Sequence, residues 1–168
     1  MLIRHKLNNE QYAELYNLVN EANAPVGSDL EHYKRAVVGI LEDNKFKKNG
    51  TISIPLGIPN NKELVRWVTN FTGIEKKFIH SFHTVEYKEG SYLDGHFDYK
   101  VNKTFVFLLK EAEQGGDFIN GNNILKIDKG EVLDYDGSKI CHGVTKIIKG
   151  SRKVFVAWYS NKVRGALI

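Results

Sequence analysis

The chain has 168 residues, of which 42% are hydrophobic and 26% are charged, which is ordinary for a globular protein and enough for one domain with a buried core. Its formal net charge of +4 comes from lysines scattered along the chain, which argues against a concentrated nucleic-acid-binding patch. Cys141 is the only cysteine, so an intrachain disulfide and a CxxC zinc framework are excluded. No apolar run suits a signal peptide or a membrane span. These features predict a soluble, cytoplasmic protein with no membrane partner.

The first part of the chain has the periodicity of helices. One helix is predicted after Asn9, with an amphipathic stripe formed by Tyr12, Leu15, Tyr16, Val19 and Ala22. A second is predicted from residue 28 to about residue 41, opened by a capping box of Ser28 and Glu31. A third is predicted from near Asn60 to Gly73, with an apolar face formed by Leu64, Trp67, Val68 and Phe71.

The rest of the chain consists of short apolar runs separated by turns, a pattern typical of β-sheet proteins. Between the second and third helices, DNKFKKNG is predicted to be a polar turn-rich segment and TISIPL a short strand. From Lys77 onward, further strands are predicted at FIHSFHTVEY, KTFVFLL, DFI, ILKI, EVLDY, KICHGVTKI and KVFVAWY, separated by glycine-rich turns. We therefore expect one mainly β domain, with a helical support region at 1–75 and an antiparallel β sandwich or barrel at 76–168.

Residues 95–100, GHFDYK, place a histidine and an aspartate two positions apart. In a strand, His96 and Asp98 would point to the same face, with Phe97 turned the other way. Such a pair can be an ion pair, a catalytic dyad or two ligands of a metal site. The pair alone does not distinguish these possibilities, because a catalytic metal needs a third protein ligand.

The third ligand must come from elsewhere in the chain. His80 and His83 are three positions apart, so on one strand their side chains would face opposite ways. Each is therefore expected to be a structural or surface histidine and not a metal ligand. His142 lies in a later predicted strand, and Gly143 leaves space beside its ring. Two histidines and one carboxylate are the ligand set of non-haem Fe(II) oxygenases, with zinc as the alternative.

Two longer motifs surround these residues. The first, YKEGSYLDGHFD, contains a spaced set formed by Tyr87, Gly90, His96 and Asp98. The second, HGVTKIIKGSRKVFVAWY, contains a set formed by His142, Val144, Gly150, Arg152 and Trp158. Between them lie two glycine motifs, Gly115 with Gly116 and Lys129 with Gly130. In order and spacing, these motifs resemble the Fe(II)- and 2-oxoglutarate-dependent oxygenases of the prolyl 4-hydroxylase-like branch.

The resemblance implies a fold and a set of cofactors. It implies a double-stranded β-helix (jelly roll) in which His96, Asp98 and His142 bind Fe(II). The cosubstrates would be 2-oxoglutarate and O2, the products succinate and CO2, and ascorbate is a further candidate cofactor. It also implies that Arg152 binds the far carboxylate of 2-oxoglutarate and that Tyr87 donates a hydrogen bond to the cosubstrate. The alternative for Tyr87 is an ordinary core tyrosine. We expect Thr104 and Val144 in the same cosubstrate site.

Arg152 has a physical reason for such a role. It shares strand parity with Val154, Val156 and Trp158, so its guanidinium is expected among apolar side chains, where an unpaired cation is costly unless an anion meets it. The planar fork of arginine suits a carboxylate. The alternatives are a surface ion pair for Arg152, or Lys153 as the anchor.

One position departs from the family pattern. Many relatives have a tyrosine in the strand before the glycine pair, where this chain has FVFLLK. If Leu108 is the equivalent residue, one hydrogen bond to the cosubstrate is missing, and Thr104 or another group must replace it.

The resemblance favours a prolyl residue in a peptide or protein as the substrate. The alternatives are another amino-acid side chain, a small molecule or a nucleobase, a metal-binding jelly-roll module without activity, and a zinc- or manganese-dependent cupin-type enzyme. We further expect DNKFKKNG and the EGSYLDG loop to flank the substrate entrance as a lid.

Overall fold

The computed structural model describes residues 1–36, 40–42 and 45–162. The helices in these ranges are α1 (Asn9–Asn20), α2 (Ser28–Ala36) and α3 (Lys62–Thr72), with a short 3-10 turn at Lys76–Phe78. The strands are β1 (Ile3–Lys6), β2 (Ile40–Glu42), β3 (Lys45–Lys48), β4 (Thr51–Leu56), β5 (Ile79–Tyr87), β6 (Leu93–His96), β7 (Lys103–Lys110), β8 (Gln114–Gly115), β9 (Phe118–Asn120), β10 (Asn123–Leu125), β11 (Glu131–Tyr135), β12 (His142–Val144), β13 (Ile147–Lys149) and β14 (Arg152–Tyr159).

The first and third predicted helices are present. A capping box opens α1, in which the Gln11 N–H donates to Asn8 Oδ1 at 2.7 Å and the Asn8 N–H donates to the Gln11 side chain at 3.0 Å. Gly73 ends α3 in the left-handed conformation, with φ of 72°. The capping box predicted at Ser28 is wrong, because Ser28 already lies inside α2 and the Glu31 N–H donates to the carbonyl of Gly27.

The second helix is shorter than predicted. It ends at Ala36, and the predicted end near residue 41 is wrong because residues 40–42 form β2, which pairs with β3. The predicted helical residues 37–39 lie outside the described residues. The sequence VVGIL at 37–41 is rich in β-branched residues and contains a glycine, a composition that favours a strand over a helix.

Part of DNKFKKNG is a strand and not a turn. Residues 45–48 form β3, in which Phe46 is buried while its three lysine neighbours are exposed. Phe46 packs against the ring of Tyr33 on α2, with 5.6 Å between the centroids. A single buried aromatic residue therefore anchors this polar segment to α2. Residues 43 and 44 lie outside the described residues.

The strands form two main sheets that face each other. The larger sheet has the order β1-β11-β7-β14-β5-β4-β3-β2, and the smaller has the order β10-β9-β12-β6. A third, two-stranded sheet joins β13 and β8. The pairs in all three sheets are antiparallel. This is a double-stranded β-helix, or jelly roll, with helices packed on the outside, as the sequence predicts.

Each face of the larger sheet buries a separate core. On β7, the residues turned toward the helices are Phe105, Phe107 and Leu109, which join an outer core with α1 and α3. The alternate residues are turned toward the smaller sheet and the space between the two sheets, namely Thr104, Val106 and Leu108. The two-residue period of the strand thus separates a structural face from a face that lines a cavity.

The predicted division of the chain at 75/76 stays a prediction. Strands from both sides of it contribute to the larger sheet, because β1 pairs with β11 and β4 pairs with β5. Of the helices in the described ranges, none combines the length and the apolarity that crossing a bilayer requires.

Candidate metal centre

Two paired strands bring His96 and His142 side by side. His96 ends β6, His142 begins β12, and the two residues are direct register partners. Gly143 permits this approach, because a Cβ atom at that position would overlap the carbonyl oxygen of Leu93 on β6. The strand register therefore joins the two halves of the motif that are far apart in the sequence.

Asp98 reaches the same place from the loop after β6. The prediction that it shares a strand with His96 is wrong, because β6 ends at His96 and the Asp98 N–H donates to the carbonyl of Gly137 at 2.8 Å. The Asp98 Oδ1 atom lies 3.5 Å from Nε2 of His96 and 3.3 Å from Nε2 of His142. Phe97 between them is exposed. Ligand atoms of all three residues lie within 4.8 Å of one another.

Both histidines are oriented for metal binding. The Nδ1 atom of His96 lies 2.8 Å from the carbonyl oxygen of Asp94, and Nδ1 of His142 lies 2.8 Å from that of Ile140. A carbonyl only accepts, so each Nδ1 carries a proton. Each Nε2 faces Asp98, where it donates to the carboxylate while it is protonated and can bind a metal once that proton is lost. Two imidazole nitrogens and one carboxylate on one side fit Fe(II), and the same donors can bind zinc.

The carboxylate between the two rings is ionised. Burial raises the pKa of Asp98, but hydrogen bonds from His142 and His96 outweigh burial and hold that pKa well below its ordinary value. The hydrogen bond with Asp98 in turn raises the pKa of His96. Thr104 Oγ1 donates to the other carboxylate oxygen at 3.3 Å, so Thr104 supports the metal ligand.

Gly137 makes room for this carboxylate. A Cβ atom there would overlap Oδ2 of Asp98 and lie 3.1 Å from Cε1 of His142. We expect Gly137→Ala to displace Asp98 and to weaken Mn(II) binding by about 10- to 100-fold, the range typical of groups that orient metal ligands. Titration of Mn(II) followed by electron paramagnetic resonance measures this. Ser138→Ala, in the same turn, is the control and should bind Mn(II) normally; equal loss in both variants would assign the effect to the turn.

The predicted cosubstrate residues line the same cavity as the three ligands. Tyr87, Thr104, Val144 and Arg152 all contribute to its wall. Arg152 is 3% exposed, its guanidinium lies over the Tyr87 ring at 4.8 Å, and its Nε has no hydrogen-bond partner in the described part of the chain. Burial raises the pKa of Tyr87, an effect that Arg152 partly offsets. A buried guanidinium with an unpartnered N–H is arranged for an incoming anion.

Arg152 and Lys153, the alternative anchor, lie on opposite faces of β14. Lys153 lies on the opposite face of β14, where its Nζ is 3.8 Å from a carboxylate oxygen of Glu86. Leu108 is buried in the inner core and has no polar side-chain atom to offer. Thr104, the suggested substitute, already donates to Asp98.

Tyr135 is a cavity residue that the sequence argument missed. It is 3% exposed, and its ring lies edge-on to His142 with 5.0 Å between the centroids. Burial is the main cause that raises the pKa of Tyr135 well above its ordinary value, and the charge of Asp98 adds to it. The signal was its parity with Leu133 on β11, which places both side chains on the inner face.

A second, wider cavity of about 660 Å³ opens beside the first and shares residues with it, including His83, Tyr87, His96, Asp98 and Trp158. His83 is not a surface histidine, and the prediction that it is structural stays a prediction. It is 4% exposed, yet its Nδ1 has no hydrogen-bond partner among the described residues. Its even spacing from Tyr87 could have indicated that it faces inward.

The two segments predicted as a lid meet beside this outer cavity. Lys48, from the first segment, and Asp94 and Gly95, from the second, line its wall. Hydrogen bonds join the segments, because Ser91 Oγ donates to the carbonyl of Gly50 at 2.9 Å and the Tyr92 N–H donates to that of Asn49 at 3.4 Å. Movement of either segment as a lid stays a prediction.

No family model matches this sequence, and no curated protein does so. Solved structures do match. A viral collagen prolyl hydroxylase from Paramecium bursaria Chlorella virus-1, in a 2OG complex, is 16% identical with a TM-score of 0.66, covering 96% of each chain. A 2OG-Fe(II) oxygenase family oxidoreductase from Burkholderia pseudomallei is 13% identical with a TM-score of 0.65, covering 97% of this chain and 88% of that one. This chain has the fold of the 2OG-Fe(II) oxygenases.

A third similar structure contains a peptide. It is a prolyl hydroxylase from Trichoplax adhaerens in complex with a fragment of the hypoxia-inducible factor oxygen degradation domain. It is 13% identical with a TM-score of 0.60, and the match covers 95% of this chain and 83% of that chain. At these identities the likeness establishes the fold, while the chemistry of this chain must be argued from its own residues.

Proposed function

We propose that this protein is an Fe(II)- and 2-oxoglutarate-dependent dioxygenase that hydroxylates a C–H bond, most favourably in a prolyl residue of a peptide or protein. The observation that carries the proposal is the position of Arg152. Its buried guanidinium has an unpartnered Nε in the same cavity as His96, Asp98 and His142. A metal site with a purely structural role has no use for a buried cation beside it. A cosubstrate with a free carboxylate, in contrast, needs a cation to bind that carboxylate.

The residues of the inner cavity would have three separate roles: binding the metal, binding the cosubstrate and excluding water. His96, Asp98 and His142 would hold Fe(II) on one side and leave its other positions open. When bound, Fe(II) couples the reduction of O2 to the decarboxylation of 2-oxoglutarate, which gives succinate, CO2 and a hydroxylated substrate. Arg152 would bind the far carboxylate. The apolar wall reduces the access of water to the reacting groups, and it is formed by Val106, Phe118, Val144, Val154 and Val156.

The outer cavity supports a peptide substrate. Its volume of about 660 Å³ and its exposed rim residues, Tyr99 and Lys100, suit a side chain presented by a larger chain. The peptide-bound prolyl hydroxylase from Trichoplax adhaerens has the same fold and supports the same substrate class. The resemblance of the sequence motifs favours proline as the target residue.

The experiment that tests the proposal measures succinate from 2-oxoglutarate in air, with and without Fe(II), while a panel of proline-containing peptides is added. We expect turnover that requires Fe(II) and rises with at least one peptide. Omitting ascorbate tests its predicted role. Absence of turnover together with absence of 2-oxoglutarate binding would overturn the proposal, and would favour a metal-binding module or a cupin-type enzyme.

If Leu108 is the equivalent of the tyrosine that many relatives have, this chain lacks one hydroxyl for the cosubstrate. Tyr135 is our candidate for its replacement. It lines the cavity together with Arg152 and Tyr87, and we infer that its hydroxyl donates to the cosubstrate carboxylate. We expect Tyr135→Phe to weaken 2-oxoglutarate binding by about 2- to 12-fold, the effect of one net hydrogen bond. Calorimetric titration of the Mn(II)-loaded protein under nitrogen measures the affinity. Tyr16→Phe, on the exposed face of α1, is the matched control; an unchanged affinity in Tyr135→Phe would exclude the assignment.

A further inference from the structure

His83 is a buried polar group that the roles assigned above leave unused. It lies in the middle of β5, where its register partners are Val156 on β14 and Pro55 on β4. Its side chain contributes to the wall of both the inner cavity with the metal ligands and the wider outer cavity. The imidazole therefore lies in the part of the wall that both cavities share.

The ring is held in place by aromatic contacts and not by hydrogen bonds to Nδ1. Trp158 lies edge-on to it with 4.5 Å between the centroids, and Tyr33 on α2 does so at 5.8 Å. Its Nδ1 has no hydrogen-bond partner in the described ranges, although the residue is only 4% exposed. A buried, unpaired polar nitrogen costs free energy in the free protein, and a ligand that supplies the missing partner recovers it.

The surroundings of His83 favour a neutral partner. Ser53, Val85 and Trp158 line the same cavity and carry no charge. Of its charged groups, Lys48, Asp94 and Lys100 are exposed at its surface, and Asp98 is paired with His96 and His142. Burial lowers the pKa of His83 to about 3, so the imidazole is neutral at physiological pH. A neutral imidazole between aromatic rings suits an uncharged amide, and it offers no charge to the ammonium or carboxylate group of a free amino acid.

We propose that His83 is a specificity-determining residue that hydrogen-bonds a backbone amide of a peptide substrate beside the residue to be hydroxylated. This inference rests on the proposed function and deepens it. It assigns the outer cavity to a residue within a peptide chain and not to a free amino acid. The exposed lysines at the rim then face the flanking part of the peptide.

The test compares three replacements of His83. His83→Phe keeps an aromatic ring for the contacts with Trp158 and Tyr33 but removes both nitrogens. His83→Asn and His83→Gln place an amide near the positions of Nδ1 and Nε2, respectively. The probe is an acetylated and amidated octapeptide with one central proline among alanines and glycines, and free L-proline is its comparison. His5→Phe, on β1, is the control for a histidine-to-phenylalanine change outside both cavities.

Two quantities are measured for each variant. The first is the KM for the peptide in the succinate assay. The second is the Kd of the peptide for the protein loaded with Mn(II) and 2-oxoglutarate under nitrogen, which requires no turnover. We expect His83→Phe to raise both values by about 2- to 12-fold, the effect of one net hydrogen bond, while the Kd for 2-oxoglutarate stays within a factor of two. His83→Asn, whose amide lies near the position of Nδ1, should restore the peptide affinity, whereas rescue by His83→Gln alone would contradict the use of Nδ1.

The outcomes separate this inference from the proposed function. If His83→Phe lowers the melting temperature but leaves both peptide constants unchanged, His83 is structural and the inference fails while the oxygenase proposal stands. If free L-proline or an oligonucleotide stimulates succinate formation and no peptide does, the peptide assignment fails. If no peptide stimulates turnover in a wild-type protein that binds 2-oxoglutarate, the inference also fails. If the wild-type protein does not bind 2-oxoglutarate, the proposed function itself fails.

Discussion

Replacing Asp98 with alanine is expected to abolish metal-dependent turnover. The carboxylate is the anionic member of the proposed ligand set, and Oδ1 lies 3.3 Å from Nε2 of His142 and 3.5 Å from Nε2 of His96. Changing a residue that merely orients a ligand costs about 10- to 100-fold in metal affinity, so removal of a ligand should exceed about 100-fold. Titration with Mn(II) measures the affinity, and succinate formation with Fe(II) measures the consequence.

The Asp98 experiment has two controls. Asp98→Asn keeps the shape of the side chain and removes its charge, so it should resemble Asp98→Ala in metal affinity if the anion is what matters. Asp128→Asn changes an exposed carboxylate elsewhere and should leave metal binding unchanged. Normal Mn(II) affinity in Asp98→Ala would contradict the ligand assignment and return the residue to the role of an ion-pair partner for the two histidines.

The second large effect is expected from Arg152→Leu. Removal of one partner of a buried, hydrogen-bonded charge pair costs about 2–5 kcal/mol, which corresponds to at least about 30-fold in the Kd of 2-oxoglutarate. The apo protein should lose little stability, because relief of a buried guanidinium whose Nε has no partner among the described residues offsets the lost contact with Tyr87. Calorimetric titration gives the Kd, and thermal unfolding with and without 2-oxoglutarate gives both stabilities.

Two further variants sharpen this result. Arg152→Lys keeps a positive charge without the planar fork, so its affinity should fall between those of the wild type and Arg152→Leu. Lys153→Leu is the matched control, because Lys153 is adjacent in sequence but lies on the other face of β14 near Glu86. Weak 2-oxoglutarate binding in Lys153→Leu and normal binding in Arg152→Leu would exchange the two roles.

Many of the helices and strands could be predicted because they depend on patterns among neighbouring residues. The stripe of α1, the end of α3 at Gly73 and the alternation of Arg152, Val154, Val156 and Trp158 on β14 are properties of neighbouring residues. Strands β1, β2, β3 and β8 were missed, since they are short and pairing with other strands decides whether they form. Short strands have little period of their own, and pairing across the sheet decides whether they form.

The candidate site likewise has features that the local sequence predicts and features that depend on contacts between distant segments. The sequence by itself determined the residue types and their spacing, so His96, Asp98, His142 and Arg152 could be named from their motifs. Only the tertiary structure decided that Gly137 and Tyr135 lie beside these residues and that Nδ1 of His83 is left without a partner. The physical reason is that a motif reflects chemistry carried along one segment, whereas space, burial and hydrogen-bond satisfaction arise between segments that meet only when the two sheets close on each other.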